Sequence, residues 1–249
     1  HRETNAVIEG LLEAGATELL VNDSHWDARN LRIEQLHAGA SLINGWQKPF
    51  SMVSGINGQL DPPGGKIDAA CFIGYHARAG HERGVLSHTY RAQVFLDVKL
   101  NGRSVGETGL NAALAGFFDV PVILVSGDDT LCAEASELLP QTVCIEVKKA
   151  VSRYSAVLPP FDQTLEKLRK GASQALKQRG QCKPHKAPSP STMSITMIDP
   201  AMADAAELLP GVKRNDARQI ELSHTDYSVL FRLMLAIGAL GASRKDPHF

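Results

Sequence analysis

The most constraining stretch of this sequence is Ala69-Ala70-Cys71-Phe72-Ile73-Gly74-Tyr75-His76, an unbroken apolar run that stops at a glycine and delivers a histidine. A run with no polar face to offer water predicts a strand buried on both sides, the pattern of a parallel sheet covered by helices. In such sheets ligands bind beyond the carboxyl ends of the strands, so a His placed just past that end is a candidate ligand or catalyst. Ser87-His88-Thr89 follows closely, and Val105-Gly106-Glu107-Thr108-Gly109-Leu110-Asn111 opens a helix with Glu107 in its first turn.

The flanking sequence repeats the alternation of helix and strand. Val7, Ile8, Leu11 and Leu12 recur at helical spacing ahead of Gly15, which predicts an amphipathic helix over 4–14. Thr17 to Val21 reads as a strand ending in Asn22-Asp23-Ser24-His25, a second strand-end histidine. A helical turn near Leu31 to Leu36, a strand from Ser41, a short helix over Phe50 to Val53 and a loop at Asp61-Pro62-Pro63-Gly64-Gly65 precede the anchor strand. Gln93 to Leu100 alternates, with Val94, Leu96, Val98 and Leu100 on one side, and Asn101-Gly102 turns it. A helix over 105–118, a strand over 120–125, a helix over 129–139 capped by Ser126-Gly127-Asp128-Asp129, and a strand over 142–147 follow. This order predicts an α/β fold, a mostly parallel sheet flanked by helices, over residues 1–180. After a helix over 161–178 comes a Pro-rich linker, 181–191, and then a smaller α+β subdomain, 192–249.

Composition narrows the partners. With 43% hydrophobic and 21% charged residues over 249 positions the chain can bury a full core, and a net charge of -1 gives no electrostatic reason to expect nucleic acid or an anionic membrane. The apolar stretches are too short to span a bilayer, and no basic-then-apolar leader opens the sequence. The charge balance leaves a small substrate as the expectation. Cys71, Cys132, Cys144 and Cys182 lack metal or redox spacing and read as buried free thiols, which points to a reducing, cytoplasmic setting.

Four residues carry the chemistry: His25, His76, His88 and Glu107. Imidazole and carboxylate are the ligand types of zinc and similar ions, which activate water and polarise a carbonyl. Each alone has a plain structural explanation, since a strand-end His is commonly a surface residue and a first-turn Glu complements the helix dipole. Three of them come just after predicted strands, whose ends a parallel sheet would gather along one edge, and this raises the metal reading. No dinucleotide fingerprint, P-loop or nucleophile elbow is present. His37, His81, His185 and His248 receive no role, and His224 stands at a helix start.

These residues lie in five ordered motifs, Asn22-Asp23-Ser24-His25, Gly74-Tyr75-His76-Ala77-Arg78-Ala79, Gly84-Val85-Leu86-Ser87-His88, Gly106-Glu107-Thr108-Gly109-Leu110-Asn111 and Ser126-Gly127-Asp128-Asp129. Together they resemble the zinc-dependent D-aminopeptidase family of the dipeptide-operon type, over at least residues 3–155. The resemblance implies a metallopeptidase that uses metal-activated water to release N-terminal D-amino acids from short peptides. It implies His25, His76 and Glu107 as metal ligands, His88 as the catalytic histidine, two Zn2+ per intact subunit, and a ring-shaped homo-oligomer, a decamer, enclosing the sites. Family members also begin with a strand bearing an S-x-D-x-E-G segment whose acids bind zinc, and no such segment precedes His1. The expectation is a fragment of the mature protein. A non-catalytic homologue that keeps the fold and assembly contacts, or an amidase acting on another amide, are the alternatives.

Overall fold

The structure is a computed structural model describing residues 1–56 and 66–243; the Asp61 to Gly65 loop and His248 lie outside the described residues. The first helix, α1 (Arg2–Glu13), buries Val7, Ile8 and Leu11 on one stripe. It stops where Gly15 takes φ +98° and Ala16 N–H turns back to Leu11 O. Strands β1 (Leu20–Asn22) and β2 (Ser41–Ile43) pair in parallel, so the first strand sits nearer His25 than the pattern over 17–21 suggests.

The next four-stranded sheet runs in the order β3 (Ala70–Phe72), β6 (Val122–Asp128), β7 (Val143–Ser152), β8 (Ser155–Val157). Its first three strands are parallel, and β8 folds back as a hairpin absent from the sequence reading. All seven residues of β6 are buried. The apolar run at β3 holds an edge of this sheet, so Ala70 and Cys71 are only half-buried rather than enclosed. Its faces still divide between two cores, Phe72 and Ala70 toward one, Cys71 and Ile73 toward the other.

A second sheet, wholly antiparallel, has the order β10 (Lys213–Arg214), β11 (Gln219–His224), β9 (Ser191–Met197), β4 (Phe95–Leu100), β5 (Arg103–Ser104). Asn101 and Gly102, at φ +50° and +83°, make the tight β4–β5 turn that their sequence predicts. The strict alternation expected for β4 fails at one residue. A bulge between Phe95 and Asp97 brings Phe95 inside with Val98 and leaves Leu96 46% exposed. Hydrogen bonds between β9 and β4 carry this sheet across the sequence boundary near residue 180.

Helices α2 (Glu107–Phe117), α5 (Pro200–Glu207) and α6 (Tyr227–Ala242) pack with the antiparallel sheet around Leu110, Leu114, Met193, Ile195 and Phe231, all fully buried. α3 (Asp129–Leu138) adds Leu131 and Ala135 to this core. On the other side of β6, α1 packs on α4 (Phe161–Lys177), and Leu11, Ile123, Leu124, Ile145, Leu168 and Ala172 fill the interface. Each fully buried leucine contributes roughly 1.5–3 kcal/mol by leaving water. The Pro-rich segment is an extended strap. It lies so close to α2 that a Cβ on Gly116 would stand 2.0 Å from His185 O, and Cys182 Sγ reaches Gln141 O.

Candidate metal centre

The site forms where β3 ends. Past Phe72 the chain stays beside β6 through Gly74 N–H to Ser126 Oγ (3.1 Å) and Tyr75 N–H to Ser126 O (3.0 Å), and Gly74 turns at φ +71°. His76 is thereby held half-buried with Nδ1 donating to Val85 O at 2.9 Å. Burial pushes its pKa down to about 4, opposed by the Val85 carbonyl and Asp128 and helped by the neighbouring His88 and Lys148. His76 is therefore neutral near pH 7. With Nδ1 carrying the proton, Nε2 keeps a lone pair, the form of imidazole that ligates metals.

His88 sits on the loop that follows. Its backbone N–H donates to Ala77 O at 3.1 Å and its Nδ1 to Leu86 O at 2.6 Å. The ring centroid lies 5.1 Å from that of His76, and Nε2 lies 3.5 Å from Glu107 Oε1. Glu107 is the first residue of α2, where the unpaired amides of the helix end favour a negative charge. It is only 3% exposed. Burial raises its pKa, while His88, the Tyr90 N–H donating to Oε1 at 2.9 Å, and His25 pull the other way. A carboxylate taken out of water this far is stabilised by any cation that reaches it.

His25 is exposed on the loop after β1, near enough to Glu107 to favour its ionised form. Asp23, buried beneath it, organises that loop: Oδ2 accepts Asn30 N–H (2.5 Å) and Leu31 N–H (2.6 Å), and Oδ1 accepts His25 N–H at 3.4 Å. Lys48 Nζ donates to Asn22 Oδ1 and to Asp23 O, and burial lowers its pKa against the attraction of Asp23.

Supporting groups escape the sequence reading. Asp128, expected only as a cap, accepts Leu131 N–H and Thr130 Oγ–H on Oδ1 (2.8 Å each) and holds Val85 N–H on Oδ2 at 2.6 Å. Beside Glu107, Tyr90 Oη–H donates to Asn111 Oδ1 (2.5 Å), and Asn111 Nδ2 donates to Tyr75 Oη (3.0 Å). Burial raises both phenol pKa values, keeping them neutral. The four-residue step from Glu107 to Asn111 on one helix face is the signal that could have found Asn111. Of the histidines given no role, His81 Nδ1 accepts Gly84 N–H at 3.3 Å and His224 Nδ1 accepts Asp226 N–H at 2.8 Å.

His76, His88 and Glu107, distant in sequence, thus meet between the end of β3 and the first turn of α2, and His25, on the loop after β1 of a separate two-stranded sheet, is near enough to Glu107 to act on its charge. The donors suit zinc in kind, nitrogen and oxygen, and in tautomer at His76. Among the described residues no three His, Cys, Asp or Glu side chains close into a finished ion cage.

A family profile described as D-aminopeptidase matches residues 1–236. A D-aminopeptidase of Bacillus subtilis (strain 168) is 36% identical over 239 residues, covering 96% of this chain and 84% of that protein. The solved structure of the Zn-dependent D-aminopeptidase DppA from Bacillus subtilis, described as a self-compartmentalizing protease, superposes with a TM-score of 0.91 at 34% identity. The match covers 98% of this chain and 86% of that one. With the ordered histidine and glutamate motifs converging on one site, and a profile spanning nearly the whole length, this chain belongs to the D-aminopeptidase family.

Proposed function

We propose that this protein is a zinc-dependent aminopeptidase that removes D-amino acids from the N-terminus of short peptides. The observation that carries the reading is the juxtaposition of His76, His88 and buried Glu107 in a chain of this family. His25, His76 and Glu107 would hold the metal, with two zinc ions per intact subunit. The resemblance gives two further carboxylates to an S-x-D-x-E-G segment that this sequence does not contain, so the ligand proposal rests on these three residues. Zinc, when bound, supplies Lewis acidity to the scissile carbonyl and to the attacking water.

The remaining work falls to the chain. His76, fixed by Val85 O, presents a neutral Nε2. Glu107 brings the negative charge that keeps a cation in place, and Tyr90 N–H fixes its Oε1. His88 keeps Nδ1–H on Leu86 O, so its exchangeable proton is at Nε2. The neutral ring accepts a proton there from water, and the cationic ring donates it to the departing amine or to the developing oxyanion.

The subunits associate into a ring, a decamer, that restricts access to short peptides. Val151, Tyr154, Val157 and Leu158, each more than half exposed around the β7–β8 hairpin, offer apolar surface for such contacts. Among the described residues no helix is long and apolar enough to cross a membrane. Four free cysteines fit a cytoplasmic location.

A panel of di- to tetrapeptides with D- or L-residues at the N-terminus tests the activity. Release of the D-residue, lost on chelation and restored by zinc, is expected. Equal cleavage of the L-series, or turnover indifferent to chelator, contradicts it.

A further inference from the structure

Arg153 occupies the turn between β7 and β8 and reaches a loop 66 positions away in sequence. Its Nη1 donates to Ser87 O and, at 2.9 Å, to Ser87 Oγ, while its own carbonyl accepts Leu86 N–H at 2.8 Å. Tyr154 backs the guanidinium, with its ring centroid 5.6 Å from Cζ and its hydroxyl 3.3 Å from Nε.

The segment gripped in this way is the one on which both imidazoles depend. Val85 O receives His76 Nδ1–H, and Leu86 O receives His88 Nδ1–H. The peptide unit joining Val85 to Leu86 is therefore held at both ends, its carbonyl by His76 and its N–H by Arg153 O. Leu86 stands at φ +51° with its side chain 46% exposed. A bulky residue in the left-handed region persists only where surrounding contacts determine it, and burial of its own side chain is not that contact. Asp128 fixes the near side of the turn at Val85 N–H, and Arg153 fixes the far side.

We propose that Arg153 is a positioning residue, clamping the 85–87 turn so that His76 and His88 both present Nε2 to the reaction site. The inference rests on the reading of that site as the catalytic one. Removing a group that orients a metal-ligating or catalytic histidine lowers metal affinity or activity roughly 10–100-fold.

The experiment compares wild type, R153M, which keeps the alkyl stem, and R153K, whose ammonium can replace the single nitrogen that meets both Ser87 oxygens. Hydrogen exchange is followed by mass spectrometry on zinc-free protein, and kcat and KM are measured on zinc-loaded protein. In R153M, exchange in peptides covering 84–88 should accelerate about tenfold or more while the rest of the chain is unchanged. Its kcat should fall roughly 10–100-fold with KM within threefold, at unchanged sedimentation. R153K should recover most of both. Wild-type exchange in that segment, or wild-type kcat, in R153M overturns the clamp, as does exchange accelerated equally throughout the fold. If wild type itself cleaves no D-aminoacyl peptide while R153M still loosens 84–88 alone, the assigned activity falls and the clamp stands.

Discussion

Each imidazole of the site is defined by what its two nitrogens do. His76 and His88 both commit Nδ1 to main-chain carbonyls, which directs Nε2 of each away from its own loop. They differ in setting: burial drives His76 to the neutral form, whereas His88 faces the Glu107 carboxylate at 3.5 Å. H88A is accordingly expected to lose roughly 10²–10⁴-fold in kcat, the usual worth of a positioned acid–base group, while zinc content measured by atomic absorption is unchanged. Loss of zinc together with activity would move His88 into the ligand set. E107Q, which keeps the shape and removes the charge, should instead lose zinc in the same measurement. The strand-end placement of His25 and His76 was legible because apolar runs announce where strands stop, whereas His88 lies in the long loop between β3 and β4. Asp128 and Arg153 were not legible, since one looked like an ordinary helix cap and the other lies on a hairpin whose tertiary contact no local pattern encodes.

Elements were legible wherever their period was undisturbed. α4 shows this well, with Leu168, Gly171, Ala172 and Ala175 on its buried stripe. The pattern misled at β4, where a bulge reverses the facing of Phe95 and Leu96, while the Pro-rich segment packs as a strap against α2. The strap supplies a test in which propensity and packing disagree. Gly to Ala in a helix interior gains up to about 1 kcal/mol by propensity, yet the Cβ of G116A would lie 2.0 Å from His185 O. Urea unfolding should show G116A destabilised; a raised midpoint would mean that the strap does not bind α2 as described. L114A, at a fully buried position of the same helix, is expected to cost about 2–5 kcal/mol with an unchanged m-value.

Among the described residues the two larger sheets share one core with α2, β6 divides that core from a second one, and the site sits where the parallel strands end against the first turn of α2. The placing of β9 against β4 has no local trace in the sequence, because even the nearest partners, Leu100 and Met193, are 93 positions apart. Apolar side chains left exposed at the β7–β8 hairpin carry the assembly claim. Replacing Leu158 with Asp should shift sedimentation toward smaller species, and an unchanged profile would place the contacts elsewhere. The central claim is that His25, His76 and Glu107 share a zinc site beside His88. Anomalous diffraction at the zinc edge from zinc-loaded crystals tests it most directly. Density is expected within about 2.0–2.2 Å of His76 Nε2 and of a Glu107 oxygen; zinc bound elsewhere on the chain, with these side chains unligated, would contradict the shared site.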